Sequence, residues 1–469
     1  MQGSKLIKKT GLYFIGNLSS KLLSVVLVPI YAFYISSSDL GYYDYSQTIM
    51  GVLIPVVFVA IWESILKFLL NEKDIENKRV IIATTVGFTL FIAVIFFIGT
   101  ILYGRVMSIE TGKIFLIALM FISNAFVQIW QYYSRALEEN KIYVYASIVG
   151  TFIHFIFTIV LICIFKLGLD GLYIAFIIGQ LGILIFIESR LRLLNYFKFK
   201  FFNISLLKSM LVFSSPLVLN LTSVWLMSGF GRFIITNKMS AEANGLYSFS
   251  SKFYLLFSML GSVVTMSIIE EAIINAKAKR LDSSFAKLIN SLFKLFLSLI
   301  LIAVPLIVFF YSAISGTEYY ESVQYAPWLL LFSVFSMMSS NVGSLFQAIE
   351  KTKYQFITTV IGGLVTIFIS YLFISSIGIY SVIIGQILGA LTMLILRYML
   401  VNKFISFKIN WKPVIWMTSL FLVTTIICLN VNVYFNILIL LILLCFVYYI
   451  IRDYIHGGIN LVKKLVKRN

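Results

Sequence analysis

From residue 11 to residue 452 the chain is a succession of apolar runs of about 20 residues, parted by short segments rich in Lys and Arg. A helix of that length rises roughly 30 Å, the thickness of the hydrocarbon core of a bilayer. No water reaches backbone N–H and C=O groups there, so only helices or closed barrels can cross, and runs this long are helices. The expected fold is therefore all-α: a polytopic membrane protein of about 14 transmembrane helices. The spans fall near 11–35, 44–68, 80–103, 113–135, 142–166, 170–190, 209–236, 246–272, 288–312, 324–349, 354–375, 378–401, 413–431 and 434–452.

Composition closes off the alternatives. With 60% hydrophobic and 12% charged residues and a mean hydropathy of +0.99, a soluble domain is excluded. The net charge of +18 does not indicate nucleic acid, because the bases stand mostly between spans, where they orient the protein and meet anionic lipid headgroups. Only Arg105, Lys113, Lys166 and Lys238 fall on the side opposite the N-terminus. The excess of positive charge then places both termini in the cytoplasm. The N-terminus has a basic start but no clear cleavage site, and it reads as a retained first helix. Cys163, Cys428 and Cys445 lie within apolar spans, as packing residues rather than disulfide or metal-site residues. The histidines are His154 and His456, and there is no Gly-rich phosphate loop, metal-spaced carboxylate cluster or nucleophile elbow. The chain reads as a non-enzyme without metal or cofactor.

The chain also repeats itself. SSSDLGYYDYS at 36–46 aligns without gaps on SAEANGLYSFS at 240–250. Ala136-Leu137-Glu138 with Lys141 matches Ala348-Ile349-Glu350 with Lys353, and Gly150 matches Gly362. GLYIAFIIGQ at 171–180 resembles GIYSVIIGQ at 378–386. Spans 1–6 and 7–12 are thus two copies of one unit, and six spans return the chain to its starting side, so the copies run parallel. The expected division is an N-lobe at 1–204, a C-lobe at 205–405, and 406–469 holding two extra helices and a basic cytoplasmic tail.

Function is sought where polarity intrudes on the spans. An Arg or Lys at the centre of a membrane helix costs roughly 2.5–3.5 kcal/mol on insertion scales, so it faces a bundle interior or a water-filled cavity. Arg232, Lys252 and Lys21 are such residues. Acids are few: Asp44 stands at the outer end of span 2, while Glu63, Glu188, Glu270 and Glu271 fall toward cytoplasmic helix ends. The cavity is therefore expected to be cationic and to suit an anion, with Asp44, Glu63, Glu270 and His154 as coupling or gating candidates. Asn17, Lys21 and Ser24 share a face of span 1; Asn124, Gln128, Gln131 and Arg135 run down span 4; Thr151, His154 and Thr158 line span 5. The Ser and Thr positions read as hydrogen bonds between helices. Prolines 29, 55, 216 and 305 are expected to interrupt spans 1, 2, 7 and 9.

Three stretches carry a family resemblance: TGLYFIGNLSSKLLSVVLVPIYAFYISSSDLGYYDYSQT, SPLVLNLTSVWLMSGFGRFIITNKMSAEANGLYSFSSK and AIEKTKYQFITTVIGGLVTIFISYLF. They resemble the polysaccharide-transporter branch of the multidrug/oligosaccharidyl-lipid/polysaccharide exporter superfamily, the O-antigen (Wzx-type) flippases. The resemblance implies two six-helix lobes forming a V around a central cavity in the bacterial cytoplasmic membrane. It further implies movement of an undecaprenyl-pyrophosphate-linked oligosaccharide from the inner to the outer leaflet, for O-antigen, capsule or exopolysaccharide synthesis. On this reading Arg232, Lys252 and Lys21 hold the pyrophosphate, and Asn17, Asn124, Gln128, Gln131 and Asn220 contact sugar. Membrane lipids are partners; H+ or Na+ is the candidate coupling ion and a polysaccharide polymerase a candidate partner. Many relatives carry an acid directly before the base that matches Arg232. Here Gly231 stands there, which leaves Arg232 without that neighbouring carboxylate. The alternative is a multidrug or metabolite cation antiporter of the same fold, whose substrates would favour cavity carboxylates.

Overall fold

The computed structural model describes residues 26–70, 72–277, 283–349, 351–405 and 408–466, and among them every regular element is helical. Residues 26–34 form α1. There follow α2 (Ser37–Val57), α3 (Ile61–Leu69), α4 (Ile75–Val106), α5 (Thr111–Ala136), α6 (Asn140–Ile159), α7 (Gly168–Leu191), α8 (Ile204–Ser228) and α9 (Phe230–Lys238). The remainder are α10 (Ala241–Lys277), α11 (Ser283–Ala313), α12 (Ala326–Ala348), α13 (Thr352–Ile377), α14 (Ile379–Val401), α15 (Trp411–Asn430) and α16 (Val433–Val466). Each expected span from the second to the last coincides with one helix or with a pair broken in the middle. The first span lies mostly outside the described residues, and Asn17 and Lys21 with it. Helix starts follow local chemistry: the side chains of Ser36, Asp74 and Asn203 accept the first free N–H groups of α2, α4 and α8.

The chain divides into two compact units, Met1–Ser248 and Phe249–Asn469, so the start of α10 belongs to the first. In the first unit α7 packs on α5 and α6, and α3 and α4 pack on α5. In the second, α14 packs on α12 and α13, while α11 carries α15 and α16. One device recurs within each unit. A methyl group built on Gly150 or Gly179 would stand 2.9 or 3.1 Å from the other's carbonyl oxygen, which lets α6 and α7 touch backbone to backbone. Gly362 and Gly389 do the same for α13 and α14, at 2.9 and 2.6 Å. Where apolar lipid gives helices no hydrophobic reason to associate, such close approach supplies the packing.

Two expectations are corrected. Of the four prolines, only Pro55 is followed by a break: Val59 and Ala60 adopt φ of 50° and 44°, and α3 leaves α2 at 55°. Helices α1, α8 and α11 run on through Pro29, Pro216 and Pro305, because a proline removes one backbone hydrogen bond without ending the ladder. Span 7 breaks instead at Gly229, between α8 and α9. The hydroxyls, expected to bond across helices, mostly return to their own. Thr89 donates to the Thr85 carbonyl at 2.7 Å, Thr158 to His154 at 2.7 Å, Ser344 to Asn341 at 2.7 Å and Thr366 to Gly362 at 3.0 Å, whereas the Thr85 hydroxyl also meets that of Tyr133 on α5. The carbonyl one turn back is the nearest acceptor and needs no partner helix.

Candidate functional site

The site is built on one stripe of α2. Gly41, Asp44, Thr48 and Gly51 recur at helical spacing on one face. Residues 225–248 cover that face. The Trp225 ring lies 3.5 Å from where a Gly51 methyl would stand, and its Nε1 donates to the Thr48 carbonyl at 2.7 Å. Phe233 stacks on Tyr45 with ring centres 6.3 Å apart, and Asn237 Nδ2 donates to the Tyr45 hydroxyl at 3.2 Å. Farther along, Asn244 Nδ2 donates to the Gly41 carbonyl at 2.8 Å.

There α2 and the start of α10 cross without side chains between them. A methyl group on Gly41 would overlap the Ala241 carbonyl oxygen, and one on Gly245 would overlap that of Ser37. Ala241 and Gly245 are the repeat counterparts of Ser37 and Gly41, so the crossing has near two-fold symmetry. Glycine is required by contact here rather than by backbone conformation.

Beside this crossing lies a buried ion pair. Arg232 Nε stands 2.5 Å from Asp44 Oδ2, each side chain about 10% exposed. Ser248 Oγ donates to the same carboxylate oxygen at 2.5 Å. Arg232 Nη1 donates to the Ser228 carbonyl at 3.0 Å, next to the Gly229 break, and the guanidinium lies 5.5 Å from the centre of the Tyr247 ring. Each charge alone would cost several kcal/mol to keep out of water, and only together are they tolerable. The carboxylate that Gly231 fails to supply therefore comes from another helix. At Arg232 the expected surplus of positive charge is cancelled by Asp44. No sequence pattern pairs the two residues: the repeat aligns Asp44 with Ser248, not with Arg232.

The other candidates are placed as follows. Lys252 is half-buried on α10, in the second unit. Asn124, Gln128 and Gln131 share a half-buried face of α5; Gln128 Nε2 lies 3.5 Å from Asn124 Oδ1, and Gln131 Nε2 donates to Ser147 of α6 at 3.2 Å. Glu63 accepts the Tyr132 hydroxyl at 2.6 Å, and Arg135 lies 4.8 Å from the centre of that ring. Glu188 accepts from Trp130 Nε1 at 2.9 Å and from the Leu194 N–H at 3.0 Å, which fastens the end of α7. His154 packs on Phe176 of α7, ring centres 6.1 Å apart, and among the described residues its Nε2 has no hydrogen-bond partner. The Asn220 and Glu270 side chains lie outside the described residues. Among the described residues no His, Cys, Asp and Glu group of three could hold a metal ion.

Nothing in the sequence singles out Arg397, yet in the second unit it is 3% exposed. It donates to Thr358 Oγ1 at 3.1 Å, the Ser339 carbonyl at 2.8 Å and Thr359 Oγ1 at 2.8 Å, all neutral acceptors.

Comparison with known proteins follows the same outline. A family model described as polysaccharide biosynthesis protein matches residues 6–269. Among solved structures the chain is similar to the lipid II flippase MurJ in an inward closed conformation, with a TM-score of 0.69 and 16% identity over 96% of this chain and 100% of that one. It is also similar to a multidrug resistance MATE family transporter of the MOP superfamily. The inward-facing form gives a TM-score of 0.65 and 14% identity over 88% of this chain and 98% of that one. The outward-facing form gives 0.55 and 14% over 89% and 96%. At such identities the likeness is one of fold. No curated protein matches the chain in sequence.

Proposed function

The chain belongs to the polysaccharide biosynthesis protein family, and from that premise we propose that it is a flippase for lipid-linked saccharides. Its cargo on this reading is an undecaprenyl-pyrophosphate-linked oligosaccharide, carried by alternating access from the inner to the outer leaflet of a bacterial cytoplasmic membrane. The side rich in Lys and Arg then faces the cytoplasm. One observation carries the reading: the buried Arg232–Asp44 pair, which lies inside the family match. A guanidinium offers the same forked donors to carboxylate and to phosphate. Pyrophosphate arriving at Arg232 replaces Asp44 as its partner, and α2 loses its ion pair with α9, beside the α2/α10 crossing, when cargo binds. Substrate entry and helix movement are thereby coupled through one arginine. The half-buried Asn124, Gln128 and Gln131 face offers amide donors and acceptors of the kind sugar hydroxyls use.

The Asp44 carboxylate also supports the second reading, a cation antiporter, because Asp44 released from Arg232 would attract a cation instead. Vesicles reconstituted with the full chain and a fluorescent lipid-linked oligosaccharide separate the two. Under the flippase reading Arg232→Glu abolishes flipping per inserted molecule and Arg232→Lys keeps part of it. Wild-type flipping in Arg232→Glu removes Arg232 from the cargo site. Proton- or sodium-driven dye transport that depends on Asp44, with no flipping, establishes the antiporter.

A further inference from the structure

In the first unit, α2, α4, α5 and the start of α7 line a cavity of about 840 Å³, at the helix ends where bases are few. Its α2 wall is the row Asp39, Tyr42, Ser46, Ile49 and Leu53, on the face of the helix opposite Asp44. From Asp39 to Leu53 the helix rises about 21 Å, more than the roughly 15 Å of hydrocarbon in one leaflet. Polarity changes along that length. At one end stand Asp39, Glu110 and Lys113, with Tyr42 and Tyr103 about half exposed. Toward the other the wall is Ile49, Leu53, Phe96 and Ile117, all half-buried and so with apolar surface still to cover. Gly99 of α4 lies between the two ends, and a methyl group there would meet nothing within 4 Å. The floor is closed by the Ser46 and Tyr173 hydroxyls, hydrogen-bonded at 2.8 Å, and by Phe96 stacked on Phe121 with ring centres 5.8 Å apart.

The charges at the polar end are unequal. Lys113 and Glu110 pair at 3.2 Å with side chains 45% and 68% exposed, and a pair so exposed is worth at most about 1 kcal/mol, so Lys113 can turn to another anion. Asp39 is half-buried and has no ion-pair partner among the described residues. Asp170 nearby sits in the first turn of α7, where the positive end of the helix offsets it. The lining therefore calls for a cation first, with an anion beside it. A simple cation would leave Lys113 unmatched, an anionic lipid would bring its charge against two carboxylates, and a soluble zwitterion would leave the apolar trough bare. We infer that this cavity binds a diacyl phospholipid whose head carries a primary ammonium, phosphatidylethanolamine by its chemistry. The ammonium meets Asp39 beside the Tyr42 ring, the phosphate turns to Lys113, and an acyl chain lies along Ile49, Leu53, Phe96 and Ile117. Seated there, the lipid backs α2 on the side away from its ion pair with Arg232. The site is independent of Arg232 and of the cargo proposed for it.

Native mass spectrometry of the full-length, delipidated protein tests the site, with dioleoylphosphatidylethanolamine, dioleoylphosphatidylcholine, dioleoylphosphatidylglycerol and O-phosphoethanolamine as probes. Phosphatidylethanolamine should bind most tightly: phosphatidylcholine has no N–H for Asp39, phosphatidylglycerol has no cation, and phosphoethanolamine has no chain. Asp39→Asn should weaken phosphatidylethanolamine about fivefold, and Asp39→Lys should invert the order so that phosphatidylglycerol binds more tightly. Asp74→Asn, an equal charge change at the exposed far end of α4 where asparagine still caps the helix, should leave binding unchanged. Gly99→Leu keeps every charge and fills the trough without a clash, so it should lower the binding of both phosphatidylethanolamine and phosphatidylglycerol, and it serves as the test should the Asp39 variants fail to fold. Phosphatidylcholine, phosphatidylglycerol or phosphoethanolamine binding as tightly as phosphatidylethanolamine, equal effects of Asp39→Asn and Asp74→Asn, or unchanged binding in Gly99→Leu would each overturn the inference.

Discussion

Asp44 and Ser248 hold the same place in the two copies of the repeat, and in the folded chain the Ser248 hydroxyl donates to Asp44 Oδ2 at 2.5 Å. The pair is chemically unequal for a reason. One carboxylate at this spot matches one guanidinium, that of Arg232, whereas an acid in both copies would set two negative charges face to face in a medium that screens them poorly. Removing either partner strands the other. Asp44→Asn and Arg232→Gln should each destabilise the protein by about 3–5 kcal/mol, and the double variant by less than their sum because no lone charge remains. Thermal unfolding of the detergent-solubilised full chain measures this. Strictly additive losses would mean that the two residues do not stabilise one another.

The crossing beside that pair predicts a second asymmetry of effect. Gly41→Ala and Gly245→Ala each force a methyl group into a backbone carbonyl, of Ala241 and Ser37 respectively. Backbone cannot rotate away as a side chain can, so each should cost about 1–3 kcal/mol. Gly316→Ala meets open space and should cost nothing measurable. Equal melting temperatures for all three variants would show that the α2/α10 contact is looser than described.

These residues also mark how far the sequence could be read. The spans were legible because a bilayer dictates their length and apolarity, whatever the residues pack against. The duplication was legible because 36–46 and 240–250 still align. Arg232 was legible as a base in an apolar span, but its partner was not, since no helical period joins residues so far apart in the chain. Arg397 was hidden for the opposite reason: a base near the end of an apolar span looks like ordinary interfacial charge. The break after α2 lies at Val59 and Ala60, neither of which is a usual breaker, while the helices at Pro216 and Pro305 continue. A proline inside a packed helix therefore does not by itself fix where that helix breaks.

That break yields a third prediction. Ala60 precedes the first turn of α3, a region where proline is normally welcome because its N–H is not needed. Here its φ is 44°, and its N–H donates to the Pro55 carbonyl at 2.9 Å. Proline is confined to φ near −65° and has no N–H to give. Ala60→Pro should therefore destabilise by about 3 kcal/mol or more, and Ala60→Gly, which relieves the left-handed strain but loses a buried methyl, should be close to neutral. A proline variant as stable as wild type would place the bend elsewhere.

Arg397 allows the sharpest test of what a buried base is for. Its fork spans three helices of the second unit: Ser339 of α12, Thr358 and Thr359 of α13, and its own α14. Thr358 and Thr359 already donate to carbonyls on their own helix, at 2.9 Å, so they keep a partner if the guanidinium is removed. Arg397→Met thus deletes a buried charge and leaves little unsatisfied. Arg397→Lys keeps the charge but offers a compact ammonium that cannot reach all three acceptors at once. The conservative change should be the worse one, costing about 3 kcal/mol against less than about 1.5 kcal/mol for Met. Melting temperatures of the two full-length variants decide it. If Lys proves milder than Met, the site is kept for its positive charge, and an anion rather than the three helices is what Arg397 serves.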